Sequence, residues 1–283
     1  MKLNPKLTQK ISYFILFLVT VFAIIPVIII ISVIVKNGLP AITLEFLTSF
    51  PKNGIRGGGI FPAIIGTFAI IICSIVIICP IGILAAIYLN EYAGNNLLTK
   101  IIKLAIINLA NIPSVVYGLF GFSIFVVFLR LGVSIISGAL TLSIMELPVI
   151  ITTTQNALNS VPSSFREASL SLGVSHWQTI RYVVLPSAVP GILTGTILSI
   201  ARISGETAPI LFTAAVFYVP HLPHSIFDQV MILPYHLYIT STNVPYMPQK
   251  LVFGIALVLL IMVLTISSIS IIIRIYFRKH KKW

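Results

Sequence analysis

The residues of this 283-residue chain best suited to chemistry are ionisable groups set in apolar sequence. Arg202 and Glu206 stand four residues apart in the stretch 189–214, which is otherwise almost free of charge. On a helix Gly195, Ser199, Arg202, Glu206 and Thr213 fall on one small or polar stripe. An arginine inside a bilayer costs about 2.5–3.5 kcal/mol on an insertion scale, so Arg202 must face protein or water. Two uses are compatible with the spacing. Arg202 and Glu206, at i and i+4, neutralise each other and lock a helix bundle. Alternatively, the planar fork of guanidinium donors receives a tetrahedral oxyanion, a geometry that suits phosphate. Glu206 then holds Arg202 while the path is empty and discourages tight trapping of the anion.

Other ionisable groups point less clearly to chemistry. Glu146, followed by Pro148, lies in a second apolar run. It could pair with another chain, face a water-filled cavity or be buried neutral, and a carboxylate is a poor ligand for an anion. His221, His224 and Asp228 have a superficially metal-like spacing, but Pro223 interrupts any helix there, so no metal is expected. Cys73 and Cys79 are six residues apart in one apolar run, a separation that matches no zinc or redox motif. The glycine-rich 54–60 lacks the Gly-Lys-Ser/Thr of a phosphate-gripping loop and reads as a flexible connection. HExxH, Gly-x-Ser-x-Gly and paired-aspartate constellations are absent, so nothing supports an intramembrane enzyme.

The elements that must position these groups are membrane helices. The chain is 58% hydrophobic and 8% charged, against about a quarter charged in soluble domains. Apolar runs of about 20 residues or more span a bilayer. The pattern predicts six spans, at 11–35, 61–89, 101–129, 135–154, 189–218 and 251–277. The first run is too long for a cleaved signal. Pro80 and Gly82 mark a kink in the second span, and Pro209 a kink in the fifth. The third is interrupted at 111–121, where Asn111, Pro113 and Ser114 suit a cavity rather than lipid. Gly191 and Gly195 form a GxxxG pair that lets another helix come close.

The net charge of +12 does not indicate nucleic acid, because the basic residues flank the apolar runs. Twelve of the eighteen Lys and Arg fall on one side of this topology: Lys2, Lys6, Lys10, Lys100, Lys103, Arg166, Arg181, Arg274, Arg278, Lys279, Lys281 and Lys282. Five fall on the other, with Arg202 in the membrane. The positive-inside rule then makes both termini cytoplasmic. The expected product is an all-α, multi-pass protein of the inner or plasma membrane.

Between the fourth and fifth spans lies a polar segment, 155–188. Ser164 and Glu167 have the spacing of a capping box, Gly173 can close that helix, and Ser175 with Gln178 forms a second box opening a helix that Pro186 ends. Trp177, Ile180 and Val184 share a face of the second helix. Such short helices need a partner surface, either a lipid interface or a groove in another protein. Glu167-Ala168-Ser169, then Gly173, then Val183-x-Leu185-Pro186 resembles the EAA loop of ABC-importer permeases. In that family the loop docks on the ATPase, which assigns coupling to Glu167, Ala168, Gly173, Leu185 and Pro186.

Residues 201–214 (ARISGETAPILFTA) and 111–121 (NIPSVVYGLFG) are similar to the PstA-type permeases of phosphate ABC importers. This resemblance implies a MetI-like permease fold, with residues 1–60 as a first helix and external loop and 61–283 as the core. It places Arg202, Glu206, Ser199, Thr207 and Thr213 on the substrate pathway, with Ser114 and Tyr117 in a second tier. It also implies a heterodimer with a PstC-type permease, an ATPase dimer that binds ATP and Mg, and an external phosphate-binding protein. No cofactor is expected in this chain. Thr152, Gln155 and Asn111 depart from the family's usual residues at their positions. The alternatives are a permease for another oxyanion or small solute and an ion-coupled carrier, which would need no docking loop.

Overall fold

The computed structural model describes residues 5–279. Lys2, Lys281 and Lys282, used in the charge pattern, lie outside the described residues. Helix α1 (Pro5–Gly38) is apolar all round and packs mainly along the last helix. A short α2 (Leu44–Thr48) follows, capped by Thr43, whose hydroxyl accepts from Phe46 N–H. Strands β1 (Pro51–Lys52) and β2 (Gly57–Gly58) make a small antiparallel hairpin. This corrects the flexible reading of 54–60. Ile55 and Ile60 are buried, and a side chain on Gly58 or Gly59 would run into the backbone of Phe50 or Ser49. These glycines permit close packing and positive φ, not slackness.

Helix α3 (Phe61–Ile87) runs through Pro80 and continues as a π-helical turn over Tyr88–Tyr92. Gly82 serves contact, since a Cβ there would meet Ile150. The interrupted third segment is two helices, α4 (Leu97–Leu109) and α5 (Ser114–Gly121), the latter continuing as a π-helical stretch to Phe128. They are bent by 105° across the Asn-Ile-Pro break. Pro113 cannot continue a helix from α4, and the Tyr117 hydroxyl closes the bend by donating to Leu109 O at 2.8 Å.

Helix α6 (Ile135–Asn159) is the central post, packed against α3, α5 and the helices of the fifth segment. Its first N–H groups are satisfied by the Ser134 side chain and by carbonyls of Asp228 and Ile226, from a loop that returns later in the chain. The polar segment then forms α7 (Ser163–Ser171) and α8 (His176–Thr179). The Ser175–Gln178 capping box is present, and Gly173 adopts φ +79° where α7 stops. The Ser164–Glu167 box does not form. Pro162 is the cap residue, so α7 starts two residues early and Ser164 lies inside its first turn.

Pro186 does not end a helix either. A π-helical turn at Ile180–Val184 leads straight into α9 (Leu185–Gly205), and Pro186 sits where its missing N–H is harmless. Residues His176–Gly205 thus form one long run. Ile180 and Val184 are buried while Trp177 is half exposed, because the wider π turn rotates the face that the three would share on a plain α-helix. The fifth segment also stops earlier than 218. Helix α9 ends at Gly205, Glu206 is extended, and α10 (Ala208–Thr213) follows. Pro209 has no N–H for the Gly205 carbonyl and its ring would clash with it, so the break falls before the proline.

Residues 214–232 fold back, with Ala215 bridging Val230 and Leu233 N–H donating to the buried Thr67 hydroxyl. Helices α11 (Leu233–Thr242) and α12 (Gln249–Lys279) complete the chain. Among the described residues, five helical runs are long and apolar enough to cross a membrane, and the bent α4–α5 pair can supply a sixth.

Candidate functional site

Arg202 lies in the last turn of α9, where its charge also complements the free carbonyls of a helix C-terminus. Its Nε is 3.0 Å from Glu146 Oε1 and 3.5 Å from Glu206 Oε1. The three side chains differ sharply in exposure: 0% for Glu146, 18% for Glu206 and 43% for Arg202. A partly exposed arginine thus meets one fully buried and one largely buried carboxylate. Glu146 reaches it from α6, the helix against which α9 packs. That approach is close because Gly195, facing Thr153, and Gly191, facing Ala157, carry no side chain between the helices.

Glu146 is the site residue that sequence reasoning passed over. Its partner is in the same chain, about 56 residues away, and no local spacing reveals a pair made by two packed helices. Among the described residues neither Glu146 oxygen receives an aligned hydrogen bond; the buried Ser199 hydroxyl lies beside it without one, and the buried Ser74 hydroxyl has none either. A polar seam of this kind inside an apolar bundle is costly unless something completes it.

The two breaks in the bundle meet beside this pair. Helix α5 packs on α10, and a Cβ on Gly118 would press on Ala208 O and Pro209 Cα at 2.9 and 3.0 Å. Tyr117 is buried at that junction, and Ser114 opens α5 at its bend. Thr207 is the half-buried residue between Glu206 and α10. Thr213 sits apart from the others, fully buried with its hydroxyl donating to Pro209 O. The five-residue stripe therefore divides. Ser199, Arg202 and Glu206 stay together, and the helix break carries Thr213 into the core.

Residues 78–282 match the family described as binding-protein-dependent transport system inner membrane component. The chain belongs to this family. Among its relatives, the "Phosphate transport system permease protein PstA" of Pasteurella multocida is 44% identical over 210 residues, 74% of each chain. The "Probable ABC transporter permease protein YqgI" of Bacillus subtilis is 41% identical over 183 residues, 65% of this chain and 62% of that one. The same fold occurs in the crystal structure of a bacterial ABC transporter involved in the import of alginate, at a TM-score of 0.64 and 16% identity. The match covers 98% of this chain and all of that one. The fold is thus that of an ABC-importer permease in a multi-pass inner-membrane protein.

The permease presents its polar segment as a continuous exposed surface. Glu167, Ala168, Leu172, Gly173 and Trp177 are exposed, while Ser169 and Thr179 face each other and share a hydrogen bond of 2.9 Å. Leu185 is partly buried in a small cluster around Ile180, Val184 and Leu158, and Pro186 is exposed. Arg166, unremarked in the sequence beyond its charge, is fixed by four hydrogen bonds to residues outside its own helix.

His221, His224 and Asp228 form a turn: the Asp228 carboxylate accepts from the backbone N–H groups of His224 and Ser225. Those two bonds hold its pKa below the ordinary carboxylate value. Cys73 and Cys79 are separate thiols, the latter 3.8 Å from the Thr196 hydroxyl.

Proposed function

We propose that this permease is the phosphate-conducting subunit of an ATP-driven importer, with Arg202 as its anion-contacting group. The observation that carries the reading is the uneven exposure around Arg202. Both carboxylates make their closest approach at Nε, the inner edge of the guanidinium. In this reading the Nη groups offer a forked donor to a tetrahedral oxyanion. Discontinuous helices meeting near a binding site are a recurrent arrangement in transporters, and here the two breaks flank Arg202. The names borne by the PstA relatives support phosphate as the anion.

The roles follow from position. Glu146 and Glu206 hold Arg202 while no anion is present, and their charge keeps the anion from settling deeply. Ser199 and Thr207 line the same stretch, Ser114 and Tyr117 support it through the α5 bend, and Thr213 anchors the turn behind it. Residues 61–283 form the conducting core. Both termini and the segment 155–188 lie in the cytoplasm, where Glu167, Ala168, Gly173, Leu185 and Pro186 meet a separate ATPase dimer that binds ATP and Mg. The 43% exposure of Arg202 within one chain fits a path completed by a second, PstC-type permease. An external phosphate-binding protein delivers the solute, in keeping with the family's description.

The test is uptake of labelled phosphate and sulfate into vesicles holding the assembled transporter, with the binding protein added outside. Phosphate uptake that needs ATP and falls at least about a hundredfold in Arg202→Ala is expected if a charge-assisted contact in the path is lost. Uptake of sulfate in place of phosphate would move the reading to another oxyanion. Undiminished phosphate uptake by Arg202→Ala would remove the arginine from the path.

A further inference from the structure

Arg166 ties together three elements that the chain itself leaves separate. It lies in the first turn of α7. Its Nη2 donates to Leu158 O at 2.9 Å, at the end of α6, and Nη1 donates to Val161 O at 2.8 Å, in the link that follows. On its other edge Nη2 reaches Glu91 Oε1 at 2.8 Å and Nε reaches Glu91 Oε2 at 3.3 Å. Glu91 belongs to the π-helical turn that finishes α3; its side chain is 5% exposed and is further oriented by Asn90 Nδ2 at 2.9 Å. Next to it the Tyr92 ring meets His176, the first residue of α8, edge-on at 5.1 Å. A bidentate, charge-assisted pair whose remaining donors cap carbonyls is among the stiffest joints that side chains make.

The placement matters because the Arg202–Glu146 pair spans two helices with different links to the polar segment. Arg202 is on α9, which is continuous with α8 through the π turn. Glu146 is on α6, which meets α7 through the short link 160–162, through Arg166 and through Phe165, packed against the cluster that holds Ala157 and Leu158. A pull on α7 and α8 would move α9 directly, through the unbroken helix. It reaches α6 and α3 through apolar packing against α9, and Arg166 adds the directional tie that keeps them in step.

Resting on the reading of 155–188 as the segment that docks on an ATPase, we propose that Arg166 is a positioning residue for energy coupling. Together with Glu91 it makes α3, α6 and α7 move as one body with α9, so that displacement by the ATPase reaches both halves of the Arg202–Glu146 pair. Without this joint α6 and α3 follow α9 only through apolar packing, which can slide, and ATP is hydrolysed without a matching passage of solute.

The experiment uses the assembled transporter in vesicles and measures ATP hydrolysis and phosphate uptake in the same sample. Arg166→Ala is expected to co-purify with its partners and to hydrolyse ATP, with phosphate moved per ATP falling about tenfold. Glu91→Gln, which leaves the two carbonyl bonds in place, is expected to lower that ratio less, and Arg166→Lys to fall between. These two milder variants carry the test if Arg166→Ala does not assemble. A ratio unchanged from wild type in every variant that assembles, whatever the absolute rates, would overturn the proposal.

A second measurement is independent of the cargo. Spin labels are placed at Ser171 on α7 and Asn156 on α6, both exposed, with Cys73 and Cys79 replaced by serine. The label distance should stay the same with and without ATP–vanadate when Arg166 is present, and should change with nucleotide in Arg166→Ala. A nucleotide-dependent distance with Arg166 in place, or none in its absence, would sink the idea. Wild-type vesicles that hydrolyse ATP but move no phosphate would count against the substrate reading alone, leaving the label distances to decide this one.

Discussion

Arg166 donates to two backbone carbonyls and to both oxygens of Glu91, whereas Arg202 approaches Glu146 and Glu206 most closely through Nε and leaves both Glu146 oxygens without an aligned hydrogen bond. Both arginines pair with a nearly or fully buried glutamate of a different helix. The first has its donors spent on fixed protein acceptors, so moving it means breaking several charge-assisted bonds at once. The second makes ion pairs without aligned hydrogen bonds and its side chain is partly exposed, which leaves it freer to take a further partner. On the roles proposed above, the difference separates a joint from a ligand. Burial or charge alone would not have distinguished them; the count and alignment of hydrogen bonds does.

The comparison breaks most readily at Arg202. Removing it leaves Glu146 buried with no counter-charge, and Arg202→Ala should cost about 3–5 kcal/mol of stability, read as a lowered thermal midpoint of the purified transporter in detergent. Adding Glu146→Gln should restore most of that stability without restoring uptake. If uptake also returned in the double variant, Arg202 would be a structural lock like Arg166 and the contrast would collapse.

A pH scan sharpens the comparison from outside both pairs. Burial alone pushes the His236 imidazole on α11 down to about 4. The unfolded chain takes up that proton below about 6.5, while the folded chain does not until about 4. The stability tied to neutral His236 is therefore present above about pH 6.5 and lost as pH falls from there towards 4, by about 3 kcal/mol at most. His236→Gln should flatten this limb of the thermal-midpoint profile. An acid limb unchanged by that substitution would place its source in the carboxylates of the two ion pairs.

The smallest expected effect concerns the approach of α9 to α6. A side chain at Gly195 collides with Thr153, so Gly195→Val should destabilise by about 1–3 kcal/mol, and Thr153→Ala should relieve it. Because the contact lies two turns from Arg202, uptake should recover along with the thermal midpoint. Recovery of stability without uptake would mean that the spacing at the Arg202–Glu146 pair is set more finely than packing alone requires.

Much of this architecture was legible in the residues because its causes are local. Apolar runs of bilayer length, the Asn-Ile-Pro break, the Ser175–Gln178 cap and the left-handed Gly173 each follow from a few neighbouring side chains. Where local signals competed, reading along the chain went astray. Ser164 has the spacing of a cap, yet Pro162 starts the helix earlier. Pro186 looks like a stop, yet a π turn absorbs it. Pro209 looks like a kink at its own position, yet its steric reach lies four residues back, which puts Glu206 in extended backbone.

The sequence by itself determined that this is a membrane helix bundle with a capped polar segment and an arginine that must avoid lipid, because hydrophobic length and charge cost do not depend on partners in space. Only the tertiary structure decided which carboxylate Arg202 meets, that Thr213 leaves its stripe, that the polar segment from His176 onward is one rod with α9, and that Arg166 binds three helix ends. Each of these depends on which faces of distant helices come together, and that is set by glycine-permitted close approach and by the directions of hydrogen bonds in space, neither of which is written in residue spacing.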